Sequence, residues 1–310
     1  MDAENPTEFD VIIIGGGPAG MSAALWCAEL GLTSIIIEKE PDLGGQLLWT
    51  FNSINNYLGV ETANGRELRD KFFEHIKGRE IRYITDTEVV ESDLAKKELV
   101  LANGSLLRGR SIVIATGVRR RKLGVPGEAE FTGRGILSSG VKAKDQVENE
   151  RVLIVGGGDA AVENALMLSE TADQIYLVHR RGAFTSRKEF TDELARSKRI
   201  AIIPQHVVTE IKGTDRVGSV MLQNTSTGSF REIAVDHVLI RIGIVPNTDV
   251  FARELSLDED GFVRVDANFT TSIEHTYAVG DVCGPSILTI SNAVGQGMAV
   301  VKVIYNKLKR

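Results

Sequence analysis

An apolar strand that runs into a glycine-rich turn and then a helix occurs twice in this chain, about 140 residues apart. Phe9 to Ile14 is almost purely apolar, as a parallel strand buried on both faces must be. It meets Gly15-Gly16-Gly17-Pro18-Ala19-Gly20, then a helical pattern from Met21 to Leu30 that stops at Gly31. A second apolar strand, Ser34 to Ile37, ends on Glu38. Much later Val152 to Val155 leads into Gly156-Gly157-Gly158-Asp159-Ala160-Ala161, a helix to about Ser169 and a strand from Gln174 to Val178. Two such βαβ units predict two dinucleotide sites or one duplicated fold.

The spacing also gives the glycines separate tasks. In each turn the first lets the chain reverse, the second lets backbone approach a pyrophosphate, and the third lets helix and strand pack closely. Gly15, Gly17 and Gly20 fill these places in the first unit; Gly156, Gly158 and Ala161 fill them in the second. The end of the following strand separates the ligands. Glu38 is placed to accept hydrogen bonds from ribose hydroxyls, the plainer reading being a surface carboxylate. The second unit has His179-Arg180-Arg181 there and no acid. A carboxylate would repel a 2′-phosphate and a guanidinium grips one, so the second site is expected to prefer NADPH; a solvated arginine pair is the plainer reading.

The chain has 310 residues, enough for two domains, and is 43% hydrophobic and 25% charged, which suits packed cores and not a disordered chain. Its net charge of −6 argues against bulk nucleic-acid binding. Val11 to Ala28 carries no charge over 18 residues, yet its central glycines and Pro18 predict strand, turn and helix and not a membrane span. The acidic N-terminus lacks a basic n-region, so a cytoplasmic protein is expected. Glu88 to Leu107 reads as antiparallel strands around Asn103-Gly104, and strands near 207–212, 217–223 and 237–242 repeat that character. Inter-domain crossings are expected between Gly117 and Glu128 and between Gly243 and Asn247. The first domain then takes both ends of the chain, residues 1–117 and 246–310, and 118–245 is inserted. The fold class is α/β: two Rossmann-like, three-layer ββα dinucleotide-binding domains.

With these motifs in order, the chain resembles the low-molecular-weight thioredoxin reductase-like flavoproteins over essentially its whole length. The resemblance rests on Gly15–Gly20, Gly44-Gly45-Gln46-Leu47, Asn56-Tyr57-Leu58-Gly59, Ala115-Thr116-Gly117, Gly124-Val125-Pro126-Gly127-Glu128, Gly156–Ala161, His179-Arg180-Arg181 and Gly280-Asp281. It implies FAD in the discontinuous domain, NADPH in the inserted one, and a homodimer. It further implies that Gly280-Asp281 holds the ribityl and pyrophosphate part of FAD and that Gln46 lies near the flavin. Lys39, Gly45, Asn56, Ala115, Thr116, Gly117 and Gln296 complete the implied FAD site beside Gly15, Gly17, Pro18, Ala19, Gly20 and Glu38. The implied NADPH site is Gly156, Gly158, Asp159, Ala160, Ala161, His179, Arg180, Arg181 and Arg187. The arginine that the resemblance expects just after His-Arg-Arg is displaced to Arg187, with Thr185 in its place.

The chain departs from these reductases where their redox Cys-x-x-Cys would stand, because those places fall on Ser139 and Lys142. Neither forms a thiolate. Cys27 and Cys283 lie 256 residues apart, so no disulfide framework or Cys-rich metal site is available and no metal is expected. Cys27 reads as an inert core residue; at Cys283, after Gly280-Asp281 at a helix start, a helix field would lower the pKa, but with no partner thiol a structural role is the favoured reading. Trp49 or Phe51 is a candidate to stack near the isoalloxazine, core packing being the alternative. The reading is an NADPH-dependent flavoprotein that, like the thioredoxin reductase-type ferredoxin/flavodoxin–NADP reductases, passes electrons to an acidic ferredoxin or flavodoxin. Arg119-Arg120-Arg121-Lys122 is its first candidate docking patch and Lys142 with Lys144 another, a solvated inter-domain linker being the plainer reading. No acid–base residue is nominated, since hydride transfer belongs to the cofactors. The alternatives are a disulfide reductase that uses a partner's dithiol, an NAD(P)H oxidase, and a flavin- and NADPH-binding sensor.

Overall fold

The computed structural model describes residues 7–194 and 196–309. Among them the chain forms six α-helices: α1 (Pro18–Glu29), α2 (Gly65–Lys77), α3 (Gly140–Ala143), α4 (Asp159–Leu168), α5 (Lys188–Leu194) and α6 (Ile290–Leu308). It divides into two compact units. One contains the chain up to Arg119 and again from Val245; the other is Arg120–Ile244.

The discontinuous unit is built on a twisted sheet. Its strands lie in the order Arg82–Ile84, Ser34–Ile37, Thr7–Ile14, Leu106–Ile114, Glu98–Leu101 and Val89–Asp93, with Thr276–Ala278 also paired to Leu106–Ile114. The first four run parallel, as does Thr276–Ala278, and the Glu98–Leu101 and Val89–Asp93 strands are antiparallel. Both faces are covered. Val11 and Ile13 point into one core with Ala23 and Ala24 of α1 and Val300 and Ile304 of α6. Ile12 and Ile14 point into the other with Leu99, Leu101 and Ile112. A strand buried on both sides has no solvent face to supply polar alternation, which is why this run reads as uniformly apolar.

The inserted unit repeats the plan. Its parallel sheet runs Ile136–Leu137, His237–Ile240, Arg151–Val155, Gln174–His179 and Ile200–Pro204. Val152 and Ile154 face α4 through Val162 and Ala165. Leu153 and Val155 face an antiparallel sheet of His206–Gly213, Val217–Asn224 and Phe230–Ala234 through Val208, Val220 and Leu222. One expected strand belongs elsewhere. The sequence gives residues 237–242 an antiparallel character, but His237–Ile240 lies inside the parallel sheet, and Phe230–Ala234 takes the antiparallel edge. His237, Val238 and Leu239 are buried as a central parallel strand must be, whereas Phe230–Ala234 is mostly exposed and has little apolar signal.

Candidate dinucleotide-binding sites

In the discontinuous unit the first glycine turn is fixed by close approach. Gly15 has φ +105°, and a Cβ there would collide with the Ala115 carbonyl. Its N–H donates to Ile37 O at 2.8 Å. Gly17 caps α1 in extended conformation with no side-chain cap, Pro18 follows, and the first turn carries no acid. That leaves a helix N-terminus with orphan N–H groups and a field favouring an anion. Glu38 is 7% exposed; its Oε2 accepts Gly16 N–H at 2.7 Å and its Oε1 accepts Glu40 N–H at 3.0 Å. Each carboxylate oxygen keeps a further lone pair for a ribose hydroxyl. This is a held side chain, not a loose surface acid.

Other predicted residues converge on that turn. Gly44 N–H donates to Gly16 O at 2.8 Å, drawing the Gly44-Gly45 bend onto it. Ala115 N–H donates to Ile14 O at 2.8 Å, and Thr116 and Asn247 exchange two bonds, Thr116 Oγ1 to Asn247 O at 2.8 Å and Asn247 Nδ2 to Thr116 O at 2.7 Å. Gly117, with φ +62°, follows and accepts from Asn247 N–H at 3.0 Å. Gln296 reaches back from α6, its Oε1 accepting Gly280 N–H at 2.7 Å, so it sets the Gly280-Asp281 turn. Burial pushes Asp281 above the usual carboxylate range. Gln46 turns its amide to its own chain, donating to Val118 O at 2.6 Å. Asn56 is exposed on a separate ribbon, Ile54–Tyr57 with Val60–Thr62, and Lys39 is exposed beside Glu38. Trp49 is 53% exposed, so core packing does not account for it.

The inserted unit has the corresponding turn. Gly156 (φ +149°) lies against the Arg241 carbonyl, and Ala161 is fully buried under it. Gly157 lies on the face of the His179 ring, which in turn stacks on Phe184 at 5.5 Å. Burial, then the charges of Arg181 and Arg180, hold His179 below its ordinary pKa. Thr185 donates to Gly157 O twice, from N–H at 2.8 Å and from Oγ1 at 3.2 Å. Gly158 is the uncapped N-cap of α4, and Ala160 is exposed beside it. Arg180 and Arg181 are exposed at the end of the Gln174–His179 strand. Arg187 is held by Asp159 and packs over Phe190 at 4.4 Å. The buried His179 Nε2 and Ser186 Oγ have no hydrogen-bond partner among the described residues, as groups that take a polar ligand would. Sequence reasoning quoted Gly44 only as part of a motif and Asn247 only as the end of a crossing; in the structure Gly44 acts through its backbone N–H and Asn247 through its Nδ2 as well as its backbone.

Ser139 caps α3, its Oγ accepting Lys142 N–H at 3.5 Å. Both border a cavity of about 620 Å³ lined also by Glu150, Arg216 and His237. Arg216 Nη2 meets Glu150 Oε2 at 3.0 Å, and His237 Nε2 contacts the same oxygen. Gly280–Cys283 is a short 3₁₀ turn that Cys283 ends, so no helix field acidifies it; burial, then the Asp281 charge, push its thiol up to about 12. Burial pushes Cys27 to about 12 as well. The basic run is largely engaged: Arg119 pairs with Asp249 at 2.9 Å, Arg120 donates to Ser138 O, and Arg121 donates to Ile244 O at 3.5 Å. No helix among the described residues is long and apolar enough to cross a membrane.

Two Rossmann-like units, each with a fitted glycine turn, define a protein that handles two dinucleotides. The family model for pyridine nucleotide-disulphide oxidoreductases matches residues 9–297, and the chain belongs to that family. It is an FAD- and NAD(P)H-dependent oxidoreductase of thioredoxin reductase type. It is 36% identical over 292 residues to thioredoxin reductase of Listeria innocua, covering 93% of this chain and 90% of that one. With thioredoxin reductase of Bacillus subtilis the identity is 34%, covering 93% and 91%. The crystal structure of Lactococcus lactis thioredoxin reductase in its FR conformation superposes with a TM-score of 0.82 at 32% identity, covering 96% of this chain and 98% of that one.

Proposed function

We propose that the discontinuous unit holds FAD, that the inserted unit holds NADPH, and that electrons leave to a protein disulfide whose thiol pair belongs entirely to the partner. Glu38, bonded to Gly16 N–H, would take the adenosine ribose of FAD, while α1 and the Gly280-Asp281 turn receive its phosphates and ribityl chain. Arg180 and Arg181, exposed with no acid at the strand end, would grip the 2′-phosphate of NADPH. When bound, NADPH supplies a hydride and FAD relays its electron pair. The net reaction is NADPH, a proton and a partner disulfide going to NADP⁺ and two partner thiols. A homodimer in the cytoplasm is part of the same reading.

The observation that carries the choice of acceptor is the likeness to thioredoxin reductases over nearly the whole chain, and the thiol-free turn from Ser139 to Lys142, with both cysteines protonated at neutral pH, puts the dithiol on the partner. The chain keeps the fold of its disulfide-reducing relatives without a dithiol of its own. Those relatives favour a disulfide acceptor over the ferredoxin or flavodoxin expected from the sequence. The pairing of Arg119 with Asp249 also weakens the proposed acidic-partner patch.

The test is anaerobic NADPH oxidation by holoprotein with oxidised thioredoxin, or with ferredoxin and cytochrome c. Stimulation by thioredoxin supports the disulfide reading, whereas ferredoxin-dependent cytochrome c reduction alone returns the one-electron reading. Turnover only after oxygen is admitted makes the protein an oxidase, and flavin that stays oxidised makes it a sensor.

A further inference from the structure

Arg120 and Arg241 converge on one backbone oxygen. Arg120 Nη1 donates to Ser138 O, and Arg241 donates to it from Nη2 at 3.5 Å while its Nη1 donates to Ile240 O at 2.9 Å. Two guanidiniums are thereby held side by side. No carboxylate pairs with either among the described residues, whereas Arg216 pairs with Glu150 and Arg151 with Asp236. Burial, then the charge of Arg120, draw Arg241 down to about 10.

The strand order says what such a pair faces. The glycine turn follows the Arg151–Val155 strand, and Arg180 and Arg181 follow its neighbour on one side, Gln174–His179. Arg241 follows the neighbour on the other side, His237–Ile240, and its own carbonyl touches Gly156. Ser138 follows the next strand out, Ile136–Leu137. Strand spacing puts Ser138 about 10 Å from the turn. In an open parallel sheet a dinucleotide lies outside the carboxyl ends of the strands and straddles the switch point. With its 2′-phosphate end at Arg180 and Arg181, its nicotinamide end lies on the Arg241 side.

We infer that Arg120 and Arg241 make the inserted unit sensitive to the charge of the nicotinamide, disfavouring the oxidised, cationic ring relative to the reduced, neutral one. The inference rests on the reading that this unit binds NADPH. An unpaired cationic pair in a partly buried site repels a third positive charge far more than it does in open water. A neutral ring meets no such penalty, and the phosphates are held elsewhere. The pair therefore acts on the difference between substrate and product and promotes release of NADP⁺ after hydride transfer.

The experiment is titration calorimetry on holoprotein with oxidised FAD, using three ligands that do not reduce it. They are NADP⁺, its neutral tetrahydronicotinamide analogue, and 2′-phospho-ADP-ribose, which has no ring. Arg241→Ala and Arg120→Ala are expected to tighten NADP⁺ about fivefold and to leave the other two within about twofold. Arg241→Gln keeps a donor for Ser138 O and is expected to act alike, which separates charge from packing; retained flavin absorbance reports folding. An unchanged ratio of NADP⁺ to the neutral analogue in all three variants overturns the inference. So does an equal weakening of all three ligands, which marks the pair as a phosphate or packing contact. Arg180→Ala is the separate control, expected to weaken all three ligands. If it changes none, the assignment of NADPH to this unit is what fails, and the charge inference falls with it.

Discussion

Arg187 grips Asp159 at two points, its backbone N–H donating to Oδ1 at 2.8 Å and its Nε to Oδ2 at 2.9 Å. The pair ties the segment after His179-Arg180-Arg181 to the first turn of α4, where the helix field would meet a pyrophosphate. An unneutralised carboxylate at that place would repel the phosphates. On the proposed reading Arg187 screens Asp159 and positions the loop, and the 2′-phosphate falls to Arg180 and Arg181.

Removing the screen should be visible in binding. Arg187→Ala is expected to weaken NADP⁺ by about three- to tenfold, as befits an exposed ion pair that also shapes a loop. The double variant with Asp159→Asn should recover most of that loss. Calorimetry on the four proteins of the cycle checks it, and additive losses would show that Asp159 and Arg187 act separately.

The first glycine turn should report on flavin alone. Gly15→Ala forces a Cβ into the Ala115 carbonyl at φ +105°, so the purified variant is expected to lose most of its bound FAD. Gly157→Ala drives a Cβ into the His179 ring and should weaken NADP⁺ at least tenfold, about 1.4 kcal/mol or more, while flavin content stays normal. Absorbance at purification and ligand titration separate the two, and a reversed pattern would exchange the assignments of the units.

Both thiols titrate near 12 against an ordinary 9.0, so neither reacts readily near neutral pH. Cys283→Ala should leave flavin reduction by NADPH unchanged, and Cys283 should resist iodoacetamide at pH 8. The linkage has a definite sign. The folded thiols hold protons that the unfolded chain gives up above about pH 9, so their contribution to stability is complete below that pH and is lost as pH rises toward 12. Denaturation midpoints measured across that window should fall more steeply for the parent than for Cys283→Ala.

Asp236 gives the opposite slope. Hydrogen bonds from Arg151, at 3.0 Å from Nε and Nη2 and 2.9 Å from N–H, hold its carboxyl below the ordinary 3.8. That stability is present above pH 3.8 and is lost as pH falls through the lower folded value. Asp236→Asn should cost about 1 kcal/mol at pH 7, modest because the pair is partly exposed, and the difference should shrink in acid. Melting curves at pH 7 and pH 3 check it.

A chemical restoration probes the acceptor. Ser139 and Lys142 flank the first turn of α3, three residues apart, so Ser139→Cys with Lys142→Cys puts a thiol pair at the place the relatives' motif occupies. The double variant is expected to gain NADPH-dependent reduction of a small aromatic disulfide over the parent. No gain over either single variant would place that turn outside the electron path.

The sequence by itself determined both dinucleotide folds, because strands buried on two faces must be continuously apolar and a turn beneath a phosphate must be glycine. Phe9–Ile14 with Gly15–Gly20 and Val152–Val155 with Gly156–Ala161 therefore stood out without any tertiary information. It also determined that the chain has no Cys-x-x-Cys, since its two cysteines stand 256 residues apart. What only the tertiary structure decided concerns groups whose meaning depends on a distant partner. His237–Ile240 joined the parallel sheet because both its neighbours are parallel strands, a fact no local pattern carries. Cys283 became a poor nucleophile because burial and Asp281 surround it, and Arg187 became a loop anchor because Asp159 lies 28 residues before it in the chain and beside it in space. Arg120 and Arg241 are separated by most of the inserted unit, and only folding brings both to the carbonyl of Ser138. Local periodicity fixes the elements; long-range contact fixes the charge each side chain feels, and hence its chemistry.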